Sequence, residues 1–109
     1  MTRVFVYGTL KRGHRNHLLL CASRFLGECH TPPVYSLHDL GFFPGLVSGG
    51  QTSITGEVYE VNDDTLEALD VLEGYPRFYD RELIDTPYGA AWVYVYLGSV
   101  EEHPVIDEW

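Results

Sequence analysis

One segment of this chain has the full pattern of an α-helix, while strand-like runs recur along the rest of its 109 residues. A parallel sheet needs helices over both of its faces, and one or two helices cannot provide them. This imbalance constrains the fold more than any other sequence feature. It predicts an α+β chain built on a mixed sheet or a partly closed barrel. The length allows one domain, residues 1–109, with a single hydrophobic core.

The helical segment is defined by signals at both of its ends. Asn62 or Asp63 can cap the first turn, because a short polar side chain accepts a hydrogen bond from a free backbone N–H group there. Gly74 supplies the left-handed residue that often ends a helix, and Pro76 prevents continuation. Three leucines mark its apolar face: Leu66, Leu69 and Leu72. A second, shorter helix is expected within residues 14–25, where three leucines are consecutive.

Runs of β-branched and aromatic residues predict five to six strands. Arg3 to Tyr7 is apolar almost throughout and ends at Gly8, which is typical of a strand buried on both faces. The other strands are expected near residues 34–40, 52–61, 81–85 and 90–97. We expect the acidic tail, from about residue 100, to be loosely docked.

The charge balance narrows the partners that this chain can have. Sixteen acidic and seven basic residues give a formal charge of −9, which disfavours binding to nucleic acid and to anionic membranes. Cys21 and Cys29 are too few for a disulfide scaffold and are wrongly spaced for a zinc site. There is no signal peptide pattern and no long apolar run. We therefore expect a cytoplasmic protein, most simply a monomer, without a metal site.

Glu73 is the first candidate for chemistry. It occupies the last turn of the predicted helix, where the negative end of the helix dipole disfavours a further negative charge. Aromatic neighbours at Tyr75, Phe78 and Tyr79 can remove water from its carboxyl group. Both effects raise the pKa of a carboxyl group toward the range of a general base. The alternative is that Glu73 is an ordinary solvated surface acid.

The end of the first strand is the second candidate. Tyr7-Gly8-Thr9-Leu10 passes from a buried strand into a glycine-containing turn, and Lys11 and Arg12 follow directly. Such a turn can expose consecutive backbone N–H groups that bind an anion or a carbonyl oxygen. The alternative is an ordinary tight turn, which is common wherever a strand ends at glycine.

Together these segments resemble the γ-glutamylcyclotransferase-like family, and most of all its γ-glutamylamine cyclotransferase branch. The matching motifs follow one another over nearly the whole chain: Tyr7-Gly8-Thr9-Leu10-Lys11-Arg12-Gly13 with Asn16-His17, Pro44-Gly45-Leu46-Val47, Gly56-Glu57-Val58-Tyr59, Leu69-Asp70 leading to Glu73-Gly74-Tyr75-Pro76, Tyr79-Asp80-Arg81, and Val93-Tyr94-Val95-Tyr96. The first motif and the Glu-Gly-x-Pro block are each moderately specific, and their combination is a strong signal.

The resemblance implies a fold and a set of site residues. The fold is a small mixed β-barrel with two flanking helices and a cavity at its mouth. Glu73 matches the general acid/base of the family, and the segment Tyr7–Leu10 matches the part that binds the glutamyl group, largely through its backbone. This assigns substrate binding to Tyr7, Gly8, Thr9 and Leu10. Tyr79 matches a tyrosine near the site, and Tyr96 is a weaker match that could line the cavity.

The reaction implied by the resemblance is intramolecular. The α-amine of a γ-glutamyl amine or peptide attacks its own γ-carbonyl group, which releases 5-oxoproline and a free amine. The nucleophile belongs to the small-molecule substrate, so neither a cofactor nor a metal ion is needed. Glu73 would accept the proton of the α-ammonium group, whose pKa is near ~8, and return it to the leaving amine.

Several alternatives remain open at the level of sequence. The chain could be a non-catalytic small-molecule-binding module on the same scaffold, or could act on an unusual γ-glutamyl conjugate, such as an isopeptide-linked lysine. Trp92, Tyr94 and Tyr96 could pack in the core instead of lining a cavity. Arg81 could pair with an acidic side chain near Glu73 or bind the substrate. His14 and His17 lack a third ligand and are best interpreted as surface residues.

Overall fold

The structure, a computed structural model that describes all 109 residues, has eight strands and one α-helix. The strands are β1 (Thr2–Val6), β2 (Arg24–His30), β3 (Tyr35–Asp39), β4 (Pro44–Ser48), β5 (Thr55–Val61), β6 (Tyr79–Thr86), β7 (Gly89–Tyr96) and β8 (Val105–Ile106). The helix, α1, runs over Asp63–Glu73, and a single 3-10 turn covers His17–Leu20. None of the helical segments combines the length and the apolar composition of a membrane span.

The strands form two sheets, a larger mixed sheet and a smaller antiparallel one. The larger sheet has the order β2-β5-β1-β7-β6, and β1 and β7 are its parallel pair. The smaller sheet has the order β4-β3-β8. The α+β class is therefore observed, but the barrel is not confirmed. No ladder of hydrogen bonds joins the outer strands of the two sheets, so neither sheet closes on itself.

The first strand is buried on both faces, as its continuous apolar sequence predicts. Val4 and Val6 belong to the hydrophobic cluster that includes Leu69 of α1. Phe5, between them in sequence, belongs to the cluster that includes Leu37 and Leu46 of the smaller sheet. Alternation of side chains along β1 thus fills both layers of the core. This central position fixes the end of β1, where the chain turns into Tyr7–Leu10.

The helix begins and ends where its capping signals predict. The backbone N–H of Thr65 donates to Asn62 Oδ1 at 2.8 Å, so Asn62 is the N-cap. Gly74 adopts the left-handed conformation at φ 66°, which ends α1 directly after Glu73. Leu69 is fully buried against the sheet. The capping residues therefore decide that Glu73 is the last residue of the helix.

The second helix predicted within residues 14–25 is wrong. Only the 3-10 turn forms there, and Leu18 is 79% exposed while Leu20 is 1% exposed. Three consecutive leucines point in different directions around a helix axis, so they cannot form one apolar face. The prediction of five to six strands is also too low. The sequence concealed β2, whose ladder contains an irregularity at Gly27.

Candidate active site

The residues predicted for the site line one small cavity. This inner cavity has a volume of about 30 Å³ and lies where the end of β1 meets the end of α1. All six residues singled out from the sequence contribute to its wall: Tyr7, Gly8, Thr9, Leu10, Glu73 and Tyr79. The space suits a small polar group, such as a carboxyl or a carbonyl group, since one water needs about 10–15 Å³.

Glu73 has an unusual carboxyl group because of its position in this wall. Burial raises its pKa from 4.5 to about 7. Both the protonated and the ionised forms are therefore well populated at neutral pH. The side chain takes part in none of the ion pairs or side-chain hydrogen bonds of the protein. A carboxyl group of this kind is suited to accept and return a proton.

Three tyrosines surround the carboxyl group, and all three remain protonated. Burial raises the pKa of Tyr7, Tyr79 and Tyr94, and the nearby charge of Glu73 raises it further in each case. Their hydroxyl protons are used within the protein. Tyr7 donates to the carbonyl of Tyr94 at 2.8 Å, and Tyr79 donates to the carbonyl of Pro44 at 2.8 Å. The tyrosines therefore shape the cavity and exclude water around Glu73.

The turn after β1 carries free hydrogen-bond donors. The backbone N–H groups of Gly8, Thr9 and Leu10 have no acceptor in the protein. Leu10 is only 3% exposed, and a buried donor without an acceptor is costly. A ligand oxygen in the inner cavity would remove this cost. We call the segment Tyr7–Leu10 the cradle loop.

Close packing and hydrogen bonds hold the cradle loop in place. A Cβ atom at Gly8 would lie 2.6 Å from Pro44 Cγ, so no larger residue fits there without a shift. Asn16 fixes Thr9 twice, through its side chain at 2.8 Å and its backbone N–H at 2.9 Å. His17 Nδ1 lies 2.9 Å from the carbonyl oxygen of Leu10. The free donors therefore belong to an ordered loop.

The two basic residues that follow the cradle loop are bound elsewhere. The Lys11 ammonium group donates to the carbonyl of Trp109 at 3.1 Å. The backbone N–H of Arg12 donates to Glu57 at 2.9 Å, and its guanidinium group pairs with the same carboxylate at 3.4 Å. Glu57 is 6% exposed. Lys11 and Arg12 thus stabilise the loop, and the backbone supplies its free donors.

Asp70 connects the helix to the sheet beside the cavity. It lies three residues before Glu73, on the same side of α1. Tyr94 donates to its carboxylate at 2.7 Å, and Arg81 pairs with it at 3.5 Å. The Arg81 guanidinium group also lies 4.2 Å from the centroid of the Tyr75 ring. The ion pair predicted as one alternative for Arg81 is confirmed.

A larger outer cavity opens beside the inner one. Its volume is about 420 Å³, and the two cavities share four lining residues: Thr9, Phe43, Glu73 and Tyr79. Tyr96 lines the outer cavity, as the weaker of the sequence matches suggested. A ligand can therefore extend from the cradle loop, past Glu73, into the outer cavity.

Sequence reasoning assigned no role to two residues of this region. Asp70 could have been found from the sequence, because an acidic residue three positions before Glu73 shares its helix face. Arg15, which lines the outer cavity, had no such signal, since it lies in an irregular segment whose path depends on the fold. Tyr94 lines the inner cavity and also belongs to the hydrophobic core, so both alternatives considered for it are observed.

The chain is similar to known proteins over nearly its whole length. The family described as "Gamma-glutamyl cyclotransferase, AIG2-like" matches residues 4–109. A protein of Vibrio cholerae is 51% identical over 104 residues, which cover 95% of this chain and 90% of the relative. The gamma-glutamylcyclotransferase family protein YtfP of Escherichia coli K12 is 40% identical over 105 residues, or 96% of this chain and 91% of the relative.

A solved structure extends the likeness from sequence to fold. An AIG2-like protein from Mus musculus superimposes with a TM-score of 0.86 at 30% identity, and the match covers all of this chain and 88% of the mouse chain. The family match includes the cradle loop, Glu73 and Tyr79. Because family, relatives and fold agree over nearly the whole length, this chain belongs to the gamma-glutamyl cyclotransferase, AIG2-like family.

Proposed function

We propose that this protein is a γ-glutamyl cyclotransferase, which releases 5-oxoproline and a free amine from a γ-glutamyl amine or peptide. The observation that supports it most is that one cavity is lined both by Glu73, with its partly buried carboxyl group, and by the three cradle-loop residues whose backbone N–H groups are free. The first can move a proton, and the second can bind an oxygen of the substrate. Intramolecular aminolysis requires both.

The first step is deprotonation of the substrate. At neutral pH the α-amino group is mainly ammonium, because its pKa is about 8. The ionised form of Glu73 accepts one of its protons, which leaves a nucleophilic amine. A carboxyl group with a pKa of about 7 is well matched to this transfer, since neither direction is strongly uphill.

The second step is closure of the ring. The free amine attacks the γ-carbonyl carbon, so a new C–N bond forms and the carbonyl oxygen becomes an oxyanion. The N–H groups of the cradle loop can bind an oxygen of the glutamyl part and hold the folded conformation in which the two atoms approach within about 3–3.5 Å. Pre-organised donors lower the barrier because they need no rearrangement during the reaction.

The third step is expulsion of the leaving amine. The oxyanion re-forms the carbonyl group, the original amide C–N bond breaks, and protonated Glu73 donates its proton to the departing nitrogen. The ring nitrogen loses its second proton to the released amine, which leaves as an ammonium ion. The products are the five-membered lactam and a free amine, and Glu73 returns to its ionised form. The substrate is a small molecule that supplies its own nucleophile, so the proposed reaction needs no cofactor. Every residue that it uses belongs to one chain, and we propose that the enzyme acts as a monomer.

The test is the release of 5-oxoproline from a panel of γ-glutamyl dipeptides and amides. Wild-type protein is compared with Glu73→Gln and with Glu67→Gln, a matched change at an exposed residue of the same helix. We expect release by wild type and by Glu67→Gln, and a loss of at least about 10²-fold in Glu73→Gln. Circular dichroism checks that all three proteins are folded.

Two other outcomes would decide against parts of the proposal. Full activity in Glu73→Gln would exclude Glu73 as the acid/base. If folded wild-type protein binds γ-glutamyl compounds in calorimetry but releases no 5-oxoproline, the chain is a binding module on the cyclotransferase fold.

A further inference from the structure

The outer cavity is far larger than a small leaving group requires. Its volume of about 420 Å³ lies in the usual range for small-molecule sites, about 300–1,000 Å³. Ammonia or glycine would fill little of it. The wall that continues from Glu73 therefore offers contacts to a group of considerable size on the leaving side of the γ-glutamyl bond.

The wall of the outer cavity is mainly apolar and unusually exposed. Phe78 is 64% exposed, Leu72 is 41% exposed and Phe43 is 40% exposed. The Phe78 ring lies directly against the helix end, so close that a Cβ atom at Gly74 would collide with it. Clustered exposed apolar side chains around a cavity are typical of a binding site, because a ligand that covers them removes apolar surface from water.

Arg15 provides the positive charge in this wall. Besides Glu73, it is the only charged residue that lines the outer cavity. Its guanidinium group donates to the carbonyl of Phe42 and forms no ion pair with an acidic residue. A guanidinium group has five N–H donors, so several remain for a ligand. A carboxylate is the group that its planar fork binds best.

These observations define a subsite, and the inference rests on the proposed function. We propose that the outer cavity selects γ-glutamyl dipeptides whose second residue has a bulky apolar side chain, which packs on Phe43, Leu72 and Phe78. The carboxylate of that residue pairs with Arg15. The amide nitrogen then lies between the cavities, beside Glu73, where the leaving amine must receive its proton.

The test compares three substrates that differ only on the leaving side. These are γ-glutamyl-phenylalanine, γ-glutamyl-glycine, and γ-glutamyl-2-phenylethylamine, which keeps the ring but lacks the carboxylate. For wild type, we expect kcat/KM for γ-glutamyl-phenylalanine to exceed that for γ-glutamyl-glycine by at least about tenfold. Arg15→Gln should lower kcat/KM for γ-glutamyl-phenylalanine about tenfold. The same substitution should leave kcat/KM for γ-glutamyl-2-phenylethylamine within about twofold of the wild-type value, because this substrate has no carboxylate.

Matched variants separate the two parts of the subsite. Phe78→Ala should reduce the preference for the aromatic substrates over γ-glutamyl-glycine about fivefold, whether or not the carboxylate is present. Arg24→Gln and Leu83→Ala change an exposed arginine and an exposed leucine that line neither cavity. Both controls should keep the wild-type preferences.

Failure of the subsite can be distinguished from failure of the reaction. Turnover of all three substrates without preference would overturn the subsite and leave the cyclotransferase proposal intact. If nothing is turned over, calorimetry with wild type and Arg15→Gln decides. Arg15-dependent binding of γ-glutamyl-phenylalanine would then support the subsite without the reaction, whereas equal or absent binding would overturn it.

Discussion

The Tyr94 hydroxyl group donates a 2.7 Å hydrogen bond to Asp70, which lies three residues before Glu73 on α1. Tyr94 belongs to β7 and lines the inner cavity, so this bond joins the wall of the cavity to the helix that carries the proposed acid/base. The Asp70–Arg81 ion pair adds a second connection between the helix and the sheet. The position of Glu73 thus depends on a polar network as well as on helix packing.

Removal of the Tyr94 hydroxyl group should therefore affect catalysis more than binding. In Tyr94→Phe we expect kcat to fall about tenfold with KM within about twofold, because misplacement of a catalytic group mainly lowers the chemical rate. The free energy of unfolding should fall by about 1–2 kcal/mol, since a hydrogen bond to a charged acceptor is lost. Steady-state kinetics and urea unfolding measure both. Tyr88→Phe is the control, because that hydroxyl makes only a 3.4 Å bond outside the cavities.

The raised pKa of Glu73 predicts how stability changes with pH. The folded protein holds this proton up to about pH 7, whereas the unfolded chain releases it near 4.5. Stability should therefore fall as pH rises from about 4.5 to 7, by at most about 3 kcal/mol and by roughly 1–2 kcal/mol for a partly solvated group. Glu73→Gln lacks this loss. The difference in free energy of unfolding between this variant and wild type, measured with urea, should therefore favour the variant more at pH 8 than at pH 5. A gain in stability that is independent of pH, or that Glu67→Gln shares, would contradict the raised pKa of Glu73.

The same pKa predicts a narrow pH optimum for turnover. The proposed reaction starts from ionised Glu73 and a protonated substrate amine, so kcat/KM should rise as Glu73 ionises near pH 7. It should fall again above the pKa of the substrate amine, near ~8. Profiles with two substrates of different amine pKa assign the limbs. The decrease of kcat/KM at high pH should shift with the amine pKa of the substrate. The increase at low pH should not shift, and if it does, Glu73 is excluded as its origin.

The parts of this structure that the sequence predicts are those with local causes. Helix α1 is predictable because Asn62 and Gly74 mark its ends within a few residues of the segment itself. The strand β8 is different, because it forms by pairing with a distant strand, where Ile106 lies opposite Leu37. A strand of only two residues is too short to show an alternation of apolar and polar residues. Distant pairings of this kind depend on the whole fold, and they also explain why the division of the strands into two sheets was not predicted.

In the candidate site, too, the features with local causes were predictable from the sequence and those that depend on distant contacts were not. A glycine-containing turn and a glutamate at a helix end are local signals, so the sequence could single out Gly8 and Glu73. It could not indicate that the Tyr79 hydroxyl would donate to Pro44, 35 positions away. Nor could it show which N–H groups of the turn stay free, because Lys11 donates to Gly8 and Arg12 to the distant Glu57.

The contact between Gly8 and Pro44 gives the last prediction. In Gly8→Ala the new methyl group would lie 2.6 Å from Pro44 Cγ, so the cradle loop must shift and its N–H groups lose their alignment. We expect kcat/KM to fall about 10²-fold, comparable to the loss of an oxyanion donor. Gly13→Ala is the matched comparison: it lies in open space at φ 85°, so it should cost about 1 kcal/mol of stability while the folded protein keeps its activity. Equal activity losses in the two variants, with unfolding measured in parallel, would show that the cradle loop acts only through stability.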